Sequence, residues 1–338
     1  MKALVITAPG STEIREIARP EPGRGEVRVR VRYLGYCGSD LNTFRGSNPL
    51  VSYPRVPGHE LSGVINATGP EVSDDFALGR EVLVVPYTNC GVCSACRKGR
   101  PNACRNNQTL GVQRDGALAE EIVVPATKLL TSHLSLRDMV LVEPLSVGWH
   151  AARRGRAATG DTVVVFGCGM VGLGAIASAT AAGARVVAAD VDDGKLAIGR
   201  AAGAVVTINS KTDDLHQRLQ ALTQNHGPDL LIEGVGLPET YRACVGEACF
   251  AGRVVYVGYA KEAVEYATKN FVMKELDIMG SRNATAEDFR GVIAYLEAGR
   301  FPVDAVISHV VPFAEAGAAL DMWANNPSTV TKIVVDLG

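Results

Sequence analysis

The feature that most limits the fold is a regular alternation of strand and helix patterns in the second half of the chain. Short β-branched runs lie near residues 163–166, 186–189, 204–208, 229–233 and 253–257. Helical stretches separate them near residues 171–182, 194–202, 213–224 and 238–249. Because parallel strands need crossover connections of this kind, the alternation predicts a parallel sheet with helices on both faces.

The first of these strand–helix junctions carries a glycine-rich turn with the pattern Gly-x-Gly-x-x-Gly. Its candidate nucleotide-binding residues are Gly167, Gly169, Met170, Val171 and Gly172. The glycines permit a tight turn, close approach of a pyrophosphate and close packing of helix on sheet. Asp190 ends the next strand, where its carboxylate can bind an adenosine ribose and repel a 2′-phosphate. The junction therefore predicts dinucleotide binding, with NAD preferred over NADP.

The first third of the chain has a different pattern. Residues 27–32 alternate valine with arginine, which is typical of a strand with one buried face. Turn-forming proline and glycine then separate short apolar runs such as 81–85 and 121–124. We expect a compact, mostly antiparallel domain here. We also expect the tail, with a helix at 286–298 and a strand at 332–335, to return to it.

Composition and charge exclude several classes of protein. The 338 residues suffice for about two domains, and 47% hydrophobic with 21% charged residues is ordinary for a globular protein. A net charge of −2 gives no strong attraction to nucleic acid or anionic lipid. The uncharged run at 162–184 is long enough to cross a bilayer, but its five glycines and β-branched start favour a buried strand and turn. No secretory signal follows Met1, so we expect a cytoplasmic protein that binds neither nucleic acid nor membrane.

Four cysteines within 15 residues form the sharpest motif. They are Cys90, Cys93, Cys96 and Cys104, spaced Cys-x2-Cys-x2-Cys-x7-Cys. Four thiolates can close on one tetrahedral Zn²⁺ and leave no position for a substrate, so we expect a structural zinc site. A [4Fe–4S] cluster also takes four cysteines and is one alternative, and chance clustering of buried thiols is another. In a reducing cytoplasm, metal binding is favoured over disulfides.

A second set of candidate metal ligands is spread over more of the sequence. Cys37, His59, Glu60 and Glu143 offer a thiolate, an imidazole and carboxylates. Such a mixed set can hold zinc and keep one coordination position open. Taken singly, each residue is more often structural: Cys37 fits a small core position, and His59 between turn residues fits a cap of backbone groups.

Taken together, these motifs resemble those of the zinc-dependent medium-chain alcohol and polyol dehydrogenases. The resemblance covers essentially the whole chain in the right order. It includes Cys-Gly-Ser-Asp at 37–40, Gly-His-Glu at 58–60, the four cysteines, Glu-Pro-Leu-Ser-Val-Gly-Trp-His at 143–150 and the glycine turn. Segments 52–56, 110–112 and 280–285 are further similar to the sugar-acid branch typified by L-galactonate 5-dehydrogenase.

The resemblance implies an α/β protein of two domains. A GroES-like, β-rich catalytic domain would comprise residues 1–148 and 285–338. A Rossmann domain, with a doubly wound parallel sheet that binds NAD, would comprise residues 149–284. The active site would lie in the cleft between them. The resemblance also implies one catalytic and one structural zinc ion per chain, and a homodimer or homotetramer.

Carried over to this sequence, the resemblance makes Cys37, His59 and Glu60 zinc ligands. Glu143 would be a direct or water-mediated fourth ligand, and Glu60 and Glu143 could exchange during turnover. Asp40 would orient His59, because a metal-bound imidazole usually donates its other N–H to a carboxylate or carbonyl.

The implied mechanism is metal-assisted hydride transfer from the substrate alcohol to the nicotinamide. Ser39 would accept the proton of that alcohol and begin a proton relay. Many relatives carry a histidine three positions later, but Asn42 stands here. Because an amide cannot titrate near neutral pH, we expect the proton to leave through the cofactor ribose and water.

The expected function is oxidation of a secondary alcohol of a sugar acid or polyol to a ketone. Arg282 aligns roughly with a substrate-contacting position of polyol dehydrogenases, and its guanidinium could bind a carboxylate with two hydrogen bonds. A helix-capping or subunit-interface role is the alternative for this arginine. For the whole chain, the alternatives are a threonine-type or simple alcohol dehydrogenase and a catalytically silent, nucleotide-binding regulatory protein.

Overall fold

The computed structural model describes residues 1–338 and divides into two units. The first unit comprises Met1–Glu143 and Val303–Gly338, and the second comprises Pro144–Pro302. The tail from Val303 onward therefore belongs to the first unit. The helix near 286–298, which we expected to return with the tail, lies in the second unit.

Fifteen strands form the sheets. In chain order they are β1 (Lys2–Ala8), β2 (Ser11–Glu16), β3 (Glu26–Gly35), β4 (Glu60–Thr68), β5 (Glu81–Val84), β6 (Glu121–Pro125), β7 (Leu129–Leu130), β8 (Thr162–Phe166), β9 (Arg185–Asp190), β10 (Val206–Asn209), β11 (Leu230–Glu233), β12 (Arg253–Tyr256), β13 (Asp277–Gly280), β14 (Ile307–Pro312) and β15 (Lys332–Asp336).

Twelve α-helices connect them. They are α1 (Gly38–Phe44), α2 (Ser94–Arg97), α3 (Leu136–Met139), α4 (Val142–Arg154), α5 (Met170–Ala181), α6 (Asp193–Ala201), α7 (Leu215–Leu222), α8 (Pro238–Glu247), α9 (Lys269–Met273), α10 (Ala286–Glu297), α11 (Val303–Val306) and α12 (Ala316–Asn325). Short 3-10 helices lie at Asp74–Phe76, Pro101–Ala103, Ala126–Lys128, Phe313–Glu315 and Pro327–Thr329.

The first unit is built on a sheet of seven strands. Their order is β14-β15-β3-β4-β5-β7, with β6 paired to β3, and every pairing except β14 with β15 is antiparallel. Strand β3 buries Val27, Val29 and Val31 completely and exposes Arg30, as its alternating sequence predicts. Arg28 departs from this pattern: it is buried and pairs with Glu21 and Glu121. The C-terminal strand β15 pairs with the end of β3, so Val334 lies beside Gly35, and the N–H of Tyr36 donates to the carbonyl oxygen of Ile333.

The second unit contains a six-stranded sheet in which every pairing is parallel. Its strand order is β10-β9-β8-β11-β12-β13. The chain first adds strands on one side of β8 and then, from β11 onward, on the other side, so the order of addition reverses between β8 and β11. Ligands of such doubly wound sheets bind outside the carboxyl ends of the strands, at this reversal. The valines of β8 are completely buried, which explains the uninterrupted apolar run in the sequence.

Helix α10 packs within the second unit through aromatic contacts. The rings of Trp149 on α4 and Tyr295 on α10 meet edge to face, with centroids 5.5 Å apart. Asp288 accepts hydrogen bonds from His150 and Arg153 on α4, each at 2.8 Å.

The uncharged run at 162–184 forms β8, the glycine turn and α5. The helices include none with the length and apolar character that crossing a bilayer demands. The prediction that this run is a buried strand and turn is therefore confirmed.

Candidate metal centres and nucleotide site

The four clustered cysteines converge on one point of the first unit. Their sulfurs are 3.5 Å apart for Cys93 and Cys96, 3.9 Å for Cys93 and Cys104, and 3.6 Å for Cys90 and Cys104. Four ligands at about 2.3 Å from a tetrahedral zinc ion stand about 3.8 Å apart, whereas a disulfide needs about 2.05 Å. Each iron of a [4Fe–4S] cluster takes its own cysteine, which requires wider spacing. The geometry therefore fits a single zinc ion.

The backbone around these cysteines favours thiolate. Hydrogen bonds from the backbone N–H groups of Cys96 and Arg105 lower the pKa of Cys93 to about 6. The backbone N–H of Cys90 also donates to the sulfur of Cys104 at 3.3 Å. Desolvation raises the pKa of Cys96 to about 11, so this thiol needs the positive charge of a metal to ionise near neutral pH. A thiolate is the form of cysteine that binds zinc.

A second group of potential ligands forms where β3 and β4 pair. Cys37 follows β3, whereas His59 precedes β4 and Glu60 begins it. The antiparallel register sets Gly35 opposite Glu60, which brings the two segments side by side. One ligand atom from each of Cys37, His59 and Glu60 lies within 4.8 Å of the other two. The structure thus brings together three of the four predicted ligands of the catalytic site.

The electrostatics of this group fit a cation. Burial disfavours a charged imidazole, but the negative charges of Cys37, Asp40 and Glu143 outweigh it and raise the pKa of His59 well above its usual value. Burial likewise raises the pKa of Glu60 to about 7, against the opposing charge of Lys332. His59 Nδ1 and Glu60 Oε1 are buried and make no hydrogen bond. Buried polar atoms in an anionic pocket need partners, and a divalent cation supplies one to both.

Asp40 stabilises this arrangement through the backbone. Its carboxylate accepts hydrogen bonds from the N–H of Cys37 at 2.9 Å and from the N–H of Gly58 at 3.0 Å. It therefore links the two segments that carry the ligands. Nδ1 of His59 makes no hydrogen bond, so it does not donate to the carboxylate of Asp40 as the expected orienting role would require.

Glu143 occupies the second position of α4 and is buried. It does not share the 4.8 Å cluster, but its charge acts on both His59 and Glu60. The hydroxyl of Tyr87 donates a hydrogen bond to its Oε1. Burial, followed by the charge of Glu143, raises the pKa of Tyr87 well above its usual value, so the phenol remains a donor. Tyr87 is a site residue that the sequence motifs do not indicate.

Ser39 lies in the first turn of α1, two residues after Cys37. Its hydroxyl oxygen is buried and makes no hydrogen bond, so it retains the capacity to donate and accept. Asn42 is exposed, and its side-chain oxygen accepts a 3.4 Å hydrogen bond from Ser47. The far end of the relay that Ser39 would begin remains a prediction.

The glycine turn joins β8 to α5 at the carboxyl edge of the parallel sheet. A Cβ on Gly172 would lie 1.7 Å from the carbonyl oxygen of Gly167, so only glycine permits this contact between helix and turn. A Cβ on Gly169 would meet no atom within 4 Å. The protein itself therefore has room for a side chain at residue 169. A glycine at this position instead fits the close approach of a ligand.

Asp190 ends β9 beside this turn. Its carboxylate accepts hydrogen bonds at 2.7 Å from the N–H of Cys168 within the turn and at 2.7 Å from the N–H of Val191. A carboxylate oxygen can accept more than one hydrogen bond, so ribose hydroxyls can still bind. Asp192 and Asp193 follow, which makes the edge acidic and unfavourable for a 2′-phosphate.

Glu233 is another residue that the motifs do not indicate. It ends β11 at the reversal of the sheet and is completely buried. Its Oε1 accepts hydrogen bonds from the N–H groups of Val235 and Gly236 and from the hydroxyl of Thr240. It therefore orders the loop that faces the glycine turn. Arg282, the predicted substrate residue, is exposed and lies two residues beyond β13, at the same carboxyl edge of the sheet.

Two family models match the chain. One, described as alcohol dehydrogenase GroES-like domain, matches residues 23–134, and the other, described as zinc-binding dehydrogenase, matches residues 170–298. The chain belongs to the zinc-type medium-chain alcohol and polyol dehydrogenases. The predicted combination of a GroES-like domain with a Rossmann-like parallel sheet is confirmed.

Individual relatives are similar over most of the chain. L-galactonate-5-dehydrogenase of Escherichia coli K12 is 33% identical over 336 residues, which cover 99% of this chain and 98% of that one. A sorbitol dehydrogenase of Bacillus subtilis is 33% identical over 288 residues, covering 83% and 81%. The crystal structure of the alcohol dehydrogenase rspB of Escherichia coli CFT073, complexed with NADH, matches with a TM-score of 0.92 at 32% identity, covering 100% and 99%.

Proposed function

We propose that the chain is a zinc-dependent, NAD-linked oxidoreductase that oxidises a secondary alcohol of a sugar acid or polyol to a ketone. The observation that carries this proposal is the group of half-buried Cys37 with buried His59 and Glu60, whose ligand atoms lie within 4.8 Å of one another. In this proposal the first unit is the catalytic domain and the second unit binds NAD. The four-cysteine site holds a zinc ion that is purely structural.

The metal site prepares the alcohol for oxidation. Cys37, His59 and Glu60 would hold a zinc ion, which would supply the Lewis-acid chemistry that makes a substrate alcohol easier to deprotonate. Ser39 would accept the alcohol proton at its otherwise unpartnered hydroxyl oxygen and release its own hydroxyl proton toward the cofactor ribose and water. Glu143, held by Tyr87, adds negative charge beside the ligands and is the candidate for a direct or water-mediated fourth ligand.

The nucleotide site positions the hydride acceptor. The N-terminus of α5 and the N–H groups of the glycine turn face the pyrophosphate, whose negative charge they stabilise. Asp190 accepts hydrogen bonds from the adenosine ribose and disfavours a 2′-phosphate, so NAD is preferred. NAD held at this site would supply the hydride acceptor for the carbinol carbon, and fixed proximity of the two would contribute much of the rate enhancement.

Arg282 supports a sugar acid over a neutral polyol. A guanidinium binds a carboxylate with two charge-assisted hydrogen bonds, a geometry that a neutral polyol cannot match. Relatives named for a sugar acid and for a polyol are equally identical to this chain, so the choice between the two substrate classes depends mainly on Arg282.

A substrate panel tests this proposal. The zinc-loaded chain is incubated with NAD and, in turn, sugar acids, neutral polyols, threonine and ethanol, and NADH is followed by its near-ultraviolet absorbance. We expect turnover of sugar acids, less of polyols, and complete loss after incubation with a zinc chelator. Turnover of only ethanol or threonine would favour a simple or threonine-type alcohol dehydrogenase. NADH binding without any turnover would favour a regulatory protein.

Two controls sharpen the result. Arg282→Gln should raise the KM for a sugar acid by about 10- to 100-fold, the value of one lost charge-assisted contact, and leave the KM for a neutral polyol nearly unchanged. Arg290→Gln, which changes an exposed arginine on α10, serves as the matched control. Equal effects of Arg282→Gln on both substrates would assign this residue a structural role. A cytoplasmic location and a homodimer or homotetramer remain predictions, the second testable by light scattering.

A further inference from the structure

Lys332 is buried next to the catalytic ligands although it begins the last strand of the chain. Its side chain is only 2% exposed. The ammonium donates hydrogen bonds to Glu60 Oε2 at 2.5 Å and to the carbonyl oxygen of Tyr36 at 2.9 Å. Lysine is almost never fully buried unless it is paired, so the ion pair with Glu60 explains how Lys332 can be buried here.

The contact holds one oxygen of Glu60 and leaves the other available. Oε2 is bonded to Lys332, whereas Oε1 is buried and makes no hydrogen bond. On another side, a Cβ on Gly35 would lie 2.4 Å from Oε2, so the backbone of β3 closes on the same oxygen. The carboxylate is therefore held by Oε2, while Oε1 has no hydrogen-bond partner. One carboxylate oxygen of Glu60 lies within 4.8 Å of the ligand atoms of Cys37 and His59, and Oε1 is the oxygen left available to a metal.

Lys332 also matters for the charge of the pocket. Cys37, Asp40 and Glu143 are acidic groups whose charge acts on His59, and the charge of Glu143 also acts on Glu60. The ammonium of Lys332 adds a positive charge beside Glu60, and the carbonyl of Tyr36, the residue before Cys37, fixes its position.

We propose that Lys332 is a positioning residue of the catalytic metal centre. Its hydrogen bond to Oε2 holds Glu60 in place, so that only Oε1 is available to bind the metal. This inference rests on the proposed function, because it requires a metal ion at Cys37, His59 and Glu60. In the absence of Lys332, Glu60 can turn away or bind with both oxygens, so the coordination of the metal changes.

The test uses the full chain loaded with Co²⁺, whose visible absorption reports coordination geometry. Lys332→Met should change the intensity and position of the cobalt bands and lower kcat by about 10- to 100-fold, the usual effect of losing a group that orients a ligand. The KM for NAD should stay the same. Lys274→Met is the matched control, because the ammonium of Lys274 donates only to carbonyls of the second unit.

Two further variants separate positioning from stability. Lys332→Met leaves Glu60 buried without its cation and should lower the melting temperature. The double variant Glu60→Gln with Lys332→Met should recover much of that loss but not the cobalt spectrum. Gly35→Ala keeps Lys332 and every charge but pushes on Oε2, and it should alter the spectrum even if Lys332→Met does not fold.

A cobalt spectrum of Lys332→Met or Gly35→Ala identical to that of the unchanged chain would overturn the proposal. So would recovery of the original spectrum in the double variant, because Lys332 would then act on folding alone. If the unchanged chain binds metal only at the four cysteines and oxidises no alcohol, the proposed function itself fails. If it binds two metal ions and oxidises an alcohol, a negative result for Lys332 concerns Lys332 alone.

Discussion

Replacing either of two glycines in the Gly-x-Gly-x-x-Gly motif with alanine should weaken NADH binding, but only the change at Gly172 should also lower stability. At Gly172 a Cβ would lie 1.7 Å from the carbonyl oxygen of Gly167, whereas ordinary contacts begin at 3.4 Å. The helix and the turn must therefore separate by roughly 1.7 Å, and overpacking of this kind costs about 1–3 kcal/mol. At Gly169 a Cβ meets nothing within 4 Å, and φ of −75° with an extended ψ suits alanine.

We expect Gly172→Ala to lower both stability and NADH affinity. A displaced turn costing about 1–3 kcal/mol corresponds to about 5- to 150-fold weaker binding. Gly169→Ala should keep full stability, or gain about 0.4–1 kcal/mol because alanine restricts the unfolded chain. It should nevertheless weaken NADH binding by at least about tenfold, since its methyl group occupies the approach of the pyrophosphate.

The assay combines thermal melts without ligand, fluorescence titration with NADH, and zinc analysis to confirm that the metal sites are unaffected. Each alanine variant serves as the control for the other. Unchanged NADH affinity in Gly169→Ala would refute the claim that a pyrophosphate approaches this turn. Unchanged stability in Gly172→Ala would refute the packing argument.

Three further changes test other parts of the site. Cys93→Ser should remove one of two zinc ions and lower the melting temperature while NADH affinity stays the same, because a tetrahedral site loses a ligand; full zinc content would contradict this. Asp190→Ala should weaken NADH by about 10- to 150-fold, the value of charged hydrogen bonds to the ribose, and NADPH much less; an unchanged ratio of the two affinities would mean that another residue binds the ribose. Burial opposes ionisation of Asp288, but hydrogen bonds from His150 and Thr285 outweigh it and lower its pKa. A lowered pKa stabilises the fold above the unfolded value of about 3.9, so Asp288→Asn should cost about 3 kcal/mol near pH 7 and progressively less below about pH 4 in urea melts. An equal cost at both pH values would refute this assignment.

The central strands of the parallel sheet could be predicted closely from the sequence, because they are buried on both faces and read as continuous apolar runs. The edge strand β13 is mostly exposed and is not among the predicted strands. The strand expected at 186–189 is β9 (Arg185–Asp190), and the helix expected at 171–182 is α5 (Met170–Ala181). The strand expected at 204–208 begins two residues late, as β10 (Val206–Asn209). Gly203, with φ of +123°, ends the preceding helix and turns the chain before the strand can pair.

The two clusters of candidate ligands could be predicted because the residue types and their spacing are typical of metal sites, but the residues around them could not. Lys332 contacts Glu60 because β15, near the end of the chain, pairs with β3, near its start. A local sequence pattern cannot predict such a long-range contact. Tyr87 reaches Glu143 in the same way. For Asp40, the resemblance indicates the correct region, but the carboxylate bonds to backbone N–H groups that sequence patterns do not describe.

The most direct test is the zinc content of the purified chain and of Cys37→Ser, measured by elemental analysis together with NADH binding. We predict two zinc ions in the unchanged chain and one in the variant, with NADH binding retained and alcohol oxidation lost. One zinc ion in both proteins, or full oxidation by the variant, would contradict a catalytic metal at Cys37, His59 and Glu60.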